Sequence, residues 1–423
     1  MVASFGGIEA GKKPPLDAPR PDFGWRLYGK PIRVLHDSSL TLLPTWQRAT
    51  AALIARYCGD AKAFESCLQC GACTVNCHLA QNDGSLFPRR QMTLLQLGEV
   101  EKLVADPRVW LCFNCKDCTS RCPAEAGPGR VMAAIRRIAV ERFSVPRLWS
   151  RLANQPQGFL YTLLAAGLLL LMAIAIGGSF SPSLTSVGYA SMLPHLTLNI
   201  FFGALTALVI ATAMIGAAQA WRAFTGEALW HAELKRVIKS LGPVVRQIAK
   251  HEQFAECQEF PLSRWAHLSL FYGFLVLLVL AGAAAVLIAV GAPYPLAALH
   301  PLKLAGNLAA GLITFGSLYF CVERRRTSRR RGENSWFDWA LPMGLLLVSV
   351  TGVLAEVFRY VNVPALAYPT YFLHLVFVFA LFASAANSKF AHAFYRTVAL
   401  TAEQYKRKPA LQLVEVVGRR MIA

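Results

Sequence analysis

Cys67-Leu-Gln-Cys70-Gly-Ala-Cys73-Thr-Val-Asn-Cys77 is echoed further along the chain by Cys112-Phe-Asn-Cys115-Lys-Asp-Cys118-Thr-Ser-Arg-Cys122-Pro123. Both runs read C-x2-C-x2-C-x3-C. That spacing lets three thiolates wrap one [4Fe–4S] cubane through a tight loop, while the fourth, at the start of a helix, reaches the cluster of the other run. The reading gives Cys67, Cys70, Cys73 and Cys122 to one cluster, and Cys112, Cys115, Cys118 and Cys77 to the other. Zinc favours paired C-x2-C units separated by longer loops, and a reducing compartment disfavours disulfides. His78, where proline often follows the fourth cysteine, reads as a neighbour of the site or a surface residue before a ligand. Cys58, Cys257 and Cys321 are scattered and read as small apolar residues with inert thiols.

Around these runs the chain is unusually apolar. Its 423 residues are 55% hydrophobic and only 16% charged, too apolar for a soluble multidomain protein and too long for one domain. Six apolar spans, near 158–177, 195–221, 265–290, 301–322, 337–358 and 370–390, are each close to the roughly 20 residues that cross a bilayer. The cysteine region carries helical stretches at Arg89–Ala105 and Gly129–Phe143. Residues 1–56 are rich in Pro, Gly and isolated aromatics, as in Pro21-Asp22-Phe23-Gly24-Trp25. They show no sustained period and read as an extended arm that packs on a partner. The expected class is mainly α. A two-cluster ferredoxin-like domain (57–147) precedes a six-helix transmembrane haem b bundle (148–397) and a tail (398–423).

The formal net charge is +19. Basic loops between apolar spans are the signature of membrane topology, so a nucleic-acid partner is not expected. Residues 324–331 hold six arginines, whereas 178–194 and 291–300 hold no Lys, Arg, Asp or Glu. With six crossings, the arginine segment, the cysteine domain and both termini fall on the cytoplasmic side of a bacterial inner membrane. The first sixty residues lack the charged and apolar regions of a cleaved secretory signal.

Histidine is costly in hydrocarbon, so those in or beside a span are functional candidates: His195, His267, His300, His374 and His392. On a continuous last helix, the eighteen residues from His374 to His392 make about five turns, so both rings face one way about 27 Å apart. Two haems stacked across a bundle need that arrangement. His267 lies at the depth of His392, and the two form the expected ligand pair of a cytoplasmic-side haem. For an outer haem, depth favours His300 over His195 as the partner of His374. His36, His231 and His251 read as ordinary soluble-side residues. Lys303, Tyr294 and Glu356 lie near the outer face and are weak quinone-site candidates, with interface anchoring as their plainer role.

Tyr371-Phe-Leu-His374-Leu-Val, Ser388-Lys-Phe-Ala-His392 and Arg264-Trp-Ala-His267 resemble the membrane cytochrome b subunit of respiratory nitrate reductases and the cytochrome subunit of heterodisulfide reductases. The cysteine domain resembles the small iron–sulfur subunit of heterodisulfide reductases. A fusion in this order is similar to the membrane subunit of quinone-interacting membrane-bound oxidoreductase complexes, over residues 57–400. One family position departs: a second histidine, ten residues after the first, is Leu277 here.

The resemblance implies an enzyme-complex subunit in the cytoplasmic membrane. It would pass electrons between menaquinone or ubiquinone and soluble flavin/iron–sulfur partner subunits, and through them adenylylsulfate reductase. The alternatives are a heterodisulfide reductase-like or sulfite-reduction menaquinol complex and, in another class, a structural anchor that carries no electrons. No G-x-G-x-x-G joins a strand to a helix, so the flavin is expected on a partner.

Overall fold

A computed structural model describes residues 45–58, 65–180, 185–251, 261–292, 295–331 and 336–407. The expected extended arm differs at its end. Thr45–Cys58 form helix α1, which lies against α8, Pro128–Phe143. Ile54 is fully buried in the core there, and Arg137 Nη1 donates to the Tyr57 carbonyl at 2.8 Å. Residues 1–44 lie outside the described set, as do Cys257, Tyr294, His36 and the end of the tail.

The cysteine region is built of short helices around that same core. They are α2 (Ala72–Val75), α3 (His78–Asp83), α4 (Arg89–Gln96), α5 (Val100–Val104), α6 (Arg108–Leu111) and α7 (Asp117–Ser120), with α8 closing the domain. The helix expected over Arg89–Ala105 is two helices. Gly98 at φ 73° turns the chain between α4 and α5, a conformation open to glycine without steric cost. Helix α9, Arg147–Ala153, then leads to the apolar part.

Six helices are long and apolar enough to cross a membrane: α10 (Pro156–Gly177), α12 (His195–Thr225), α14 (Pro261–Ala289), α15 (Pro301–Arg331), α16 (Trp336–Tyr360) and α17 (Pro364–Ser384). The short α11, Tyr189–Met192, precedes α12, and α13, Leu234–Lys250, follows it. Leu164, Leu168, Ile176, Leu208 and Val279 point outward and are exposed. A soluble fold would bury them, and lipid contact accounts for them. The arginine segment is not a loop: α15 continues as helix through Arg331.

Helices α14 to α17 pack in succession, while α10 and α12 lie against α17. Close approach of α14 and α15 depends on Gly316, where an added Cβ would stand 2.5 Å from the Ala266 carbonyl oxygen. Small residues at such crossings let membrane helices meet backbone to backbone. Gly316→Val is expected to destabilise the bundle by about 1–3 kcal/mol and to lower the thermal midpoint in detergent. Gly203→Val, whose Cβ meets nothing within 4 Å, serves as the unchanged control.

The last expected span is broken. Helix α17 ends at Ser384, two 3-10 turns cover Ala385–Asn387 and Lys389–Ala391, and α18 runs His392–Lys406. Ser388 is extended, and its hydroxyl accepts from the Phe390 amide. The carbonyls freed at the break find distant donors. Trp149 Nε1 donates to Ala383 O at 3.0 Å, and Ser150 Oγ and Asn154 Nδ2 both donate to Asn387 O at 3.1 Å. Those bonds remove the cost of ending a helix indoors. His374 and His392 therefore stand on two helices, and the five-turn relation between them does not hold.

The break turns α18 onto the iron–sulfur domain. Tyr395, Ala399 and Ala402 of α18 share one core with Val100, Trp110, Ala139 and Phe143 of that domain and with Trp221 and Phe224 of α12. The Tyr395 ring lies 5.1 Å from Trp110 and 5.5 Å from Phe143.

Candidate functional site

The two cysteine loops have matched backbones. Gln69 and Asn114, third in each run, have φ of 54° and 60°, and Gly71 and Lys116, fifth in each, have φ of 86° and 66°. Left-handed conformations at non-glycine residues cost free energy and persist where a site demands them. Polar contacts hold each loop from outside. Gln96 Nε2 donates to Cys67 O at 3.0 Å and Gln69 Nε2 to Gln96 Oε1 at 2.7 Å. On the second loop, Arg136 donates to Cys112 O at 2.6 Å and to Val109 O at 2.7 Å. Arg121 Nη1, beside Cys122, donates to Asn76 Oδ1, beside Cys77, at 3.0 Å and ties the two runs together.

The thiols sort across the runs. Burial pushes the Cys77 thiol up to about 11, and its charged neighbours are Cys112 and Cys115 of the other run. The amides of Ala80 and Leu79 at the start of α3 oppose that rise. Cys73 is raised by burial, with Cys67 and Cys122 adding to it. Cys118 is raised by burial and by Cys112, Cys115, Cys77 and, from the other ligand set, Cys73. Crowded, desolvated thiols of this kind stay protonated on their own, whereas a bound iron core would draw them to thiolates. No group of three His, Cys, Asp or Glu side chains is gathered tightly enough for a single metal ion among the described residues. The donor set of eight thiols on two matched loops fits two cubanes, each of which spreads its ligands around a whole cluster. His78 opens α3, half-buried.

At the other end of α18, the His267 and His392 rings stand 6.3 Å apart between centroids at 79°. Two metal–imidazole bonds of about 2 Å each, end to end between two rings, span about that distance. The His392 Nδ1 lies 2.7 Å from Lys389 O, the contact that fixes a ligand imidazole with Nε2 free. His267 Nδ1 lies 2.8 Å from His251 Nε2. His251 is thus not the surface residue expected from its polar surroundings; it is 6% exposed. This pair fits a haem.

The outer histidines stand on, or directly before, three different helices. His374 Nδ1 lies 3.1 Å from Val348 O and 3.2 Å from Thr351 Oγ1. His300, at the start of α15, accepts from the Leu302 amide at 3.3 Å, and His195 opens α12. Leu277 packs with Ile313, Leu345 and Leu381 in an apolar cluster. Of the quinone candidates, Lys303 Nζ stands 3.5 Å from Glu356 Oε1, which Asn307 also meets at 3.2 Å. Lys303 further lies over the Tyr360 ring at 4.6 Å.

Between the histidine pair and the thiols lies Arg396, one turn after His392. It donates to the carbonyls of Trp110 at 3.1 Å and Leu111 at 3.5 Å, immediately before Cys112. Burial and the neighbouring Arg136 bring its pKa down to about 10, and Cys112 opposes them. Two half-buried guanidinium groups at one loop suit a negative partner, which a thiolate-ligated cluster would supply.

Residues 63–126 match the family model described as a 4Fe-4S dicluster domain. This part of the chain is an iron–sulfur domain homologous to the C-type iron–sulfur subunit of archaeal heterodisulfide reductases. A protein of Archaeoglobus profundus described as like that same heterodisulfide reductase subunit is 37% identical over 82 residues, 19% of this chain and 44% of that protein. The corresponding iron–sulfur subunit of the CoB–CoM heterodisulfide reductase of Methanopyrus kandleri is 32% identical over 80 residues, 19% of this chain and 41% of its own length. The match thus spans less than half of these relatives. Citrate utilization protein B of Escherichia coli is 26% identical over 312 residues, 69% of this chain and 79% of that protein. No solved structure matches the chain.

Proposed function

We propose that this chain is the membrane subunit of a heterodisulfide reductase-like complex. It carries electrons between the quinone pool and soluble partner subunits through haem b and two [4Fe–4S] clusters. One observation carries the reading: α18 begins at His392 and, a turn later, holds the loop of Cys112 through Arg396. A pure anchor has no use for a histidine pair tied so closely to a cysteine loop.

When bound, the groups would supply one-electron transfer, and the protein's part is to fix their ligands and surroundings. Cys67, Cys70, Cys73 and Cys122 would hold one cluster, and Cys112, Cys115, Cys118 and Cys77 the other. His267 and His392 would hold one haem. A quinone headgroup would have to sit within electron-transfer reach of that haem, and Lys303 and Glu356, near the outer face, would exchange its two protons only in a chain that holds a second haem between. Ionisable groups at this depth in a membrane protein are functional by default.

Within this reading, the narrower assignment is to the quinone-interacting complexes that serve adenylylsulfate reductase. It rests on the order of cluster domain and membrane spans. A second reading follows from the match to citrate utilization protein B, which covers both parts of the chain: the same wire would then serve the use of a carboxylic acid. Identifying the co-purifying soluble subunits separates the two.

Haem and iron quantification on the purified chain tests the wire. The expected content is about eight irons in clusters and one haem b per chain, retained in His300→Ala and His195→Ala. A content of two haems, reduced by either variant, would restore His374 with that histidine as an outer pair. A chain without haem b would leave only the anchor reading.

A further inference from the structure

We infer that His251 is a positioning residue for the haem site, acting through His267; the inference rests on the haem reading above. Helix α13 is amphipathic and ends at Lys250, and His251 caps it at φ 49°, ψ 41°. Glycine or asparagine is the usual residue in that left-handed cap. A histidine held there bears strain that a cap alone does not require.

Its ring explains the choice. His251 Nε2 lies 2.8 Å from His267 Nδ1, and the two rings are 4.9 Å apart. His251 Nδ1 faces the Ala249 carbonyl at 3.4 Å. A carbonyl can only accept, so Nδ1 of His251 carries the proton and Nε2 is left as an acceptor. The proton between the rings then sits on His267 Nδ1. That tautomer leaves the His267 Nε2 lone pair for iron, the arrangement a ligand imidazole needs.

The helix end that delivers His251 is itself clamped by one face of α14. Arg264 Nη2 donates to Lys250 O at 3.2 Å and Tyr272 to Ala249 O at 2.9 Å. Phe271 packs edge-on against the His251 ring at 5.2 Å. Arg264, His267 and Phe271 fall on successive turns of α14, with Tyr272 next to Phe271, so α13 is fastened on both sides of His267. At its middle, Val244 is buried in the core of the iron–sulfur domain. The helix therefore ties the ring that orients His267 to the domain that takes the electrons.

The test uses the full-length protein in detergent. His251→Gly removes the ring without a backbone penalty, and His251→Gln returns an acceptor. In His251→Gly, both cluster signals persist, haem retention at limiting haem falls about tenfold, and the midpoint potential of the remaining haem rises, because His267 loses basicity. His251→Gln recovers both haem properties in large part. Unchanged retention and potential in His251→Gly would overturn the inference and leave His251 a cap. Complete haem loss in both variants, with clusters intact, would also overturn it, because His251 would then be a ligand. If His251→Gly loses its clusters too, His251→Gln decides alone: wild-type retention and potential uphold the inference, and a loss of haem with clusters present overturns it. Absence of haem from the unsubstituted chain would show instead that the functional reading itself has failed.

Discussion

The His392→Ala protein is expected to lose the proposed haem b absorption completely, while both [4Fe–4S] signals persist. His392 is the first residue of α18, and its Nδ1 is fixed by the Lys389 carbonyl at 2.7 Å. Its ring stands 6.3 Å from that of His267, and the two would hold one haem. Alanine would remove one of the two proposed ligands, and the nearby His251 is engaged with the far nitrogen of His267. His267→Ala has the same outcome. His374→Ala keeps the band, because its ring is engaged with Val348 and Thr351 on α16. The cluster core, built on Phe87, Met92, Leu103, Met132 and Ile135, does not depend on any of the three. Reduced-minus-oxidised spectra and electron paramagnetic resonance on the same samples measure both halves. Full haem retention in His392→Ala would overturn the ligand pair.

The cysteine domain and the six apolar helices were legible because each depends on a short-range signal. Thiol spacing is local, and a span is a run of about 20 apolar residues. The nearness of the His267 and His392 rings, 6.3 Å between centroids, follows the depth comparison made on the sequence. What escaped is decided over long distances. The break after Ser384 holds only because Trp149, Ser150 and Asn154 reach the freed carbonyls from more than 230 positions away. The polar run Ser384, Asn387, Ser388, Lys389 was its one local sign. His251 was passed over because it follows a charged amphipathic helix, and nothing in its neighbours shows that α14 will cover it. The end of the expected arm, α1, has its apolar face satisfied by α8, and the Pro/Gly-rich stretch before it masked the change.

The crossing of cysteines between runs predicts a distinctive iron count. Cys122→Ser is expected to cost about four irons in the wild-type chain, one cubane. In a chain already lacking Cys67, Cys70 and Cys73, the same substitution is expected to cost none. In a chain lacking Cys112, Cys115 and Cys118 it removes the remaining cluster. Cys77→Ser behaves in the opposite sense. The reasoning is that of a double-mutant cycle: substitutions acting on one cluster are non-additive, and those acting on two are additive. The physical basis is the sorting of thiols, with Cys73 beside Cys67 and Cys122, and Cys77 beside Cys112 and Cys115. The Arg121 to Asn76 contact at 3.0 Å holds the two fourth-cysteine segments side by side. Additive loss of Cys122 with Cys67, Cys70 and Cys73 would mean that each run closes on its own cluster.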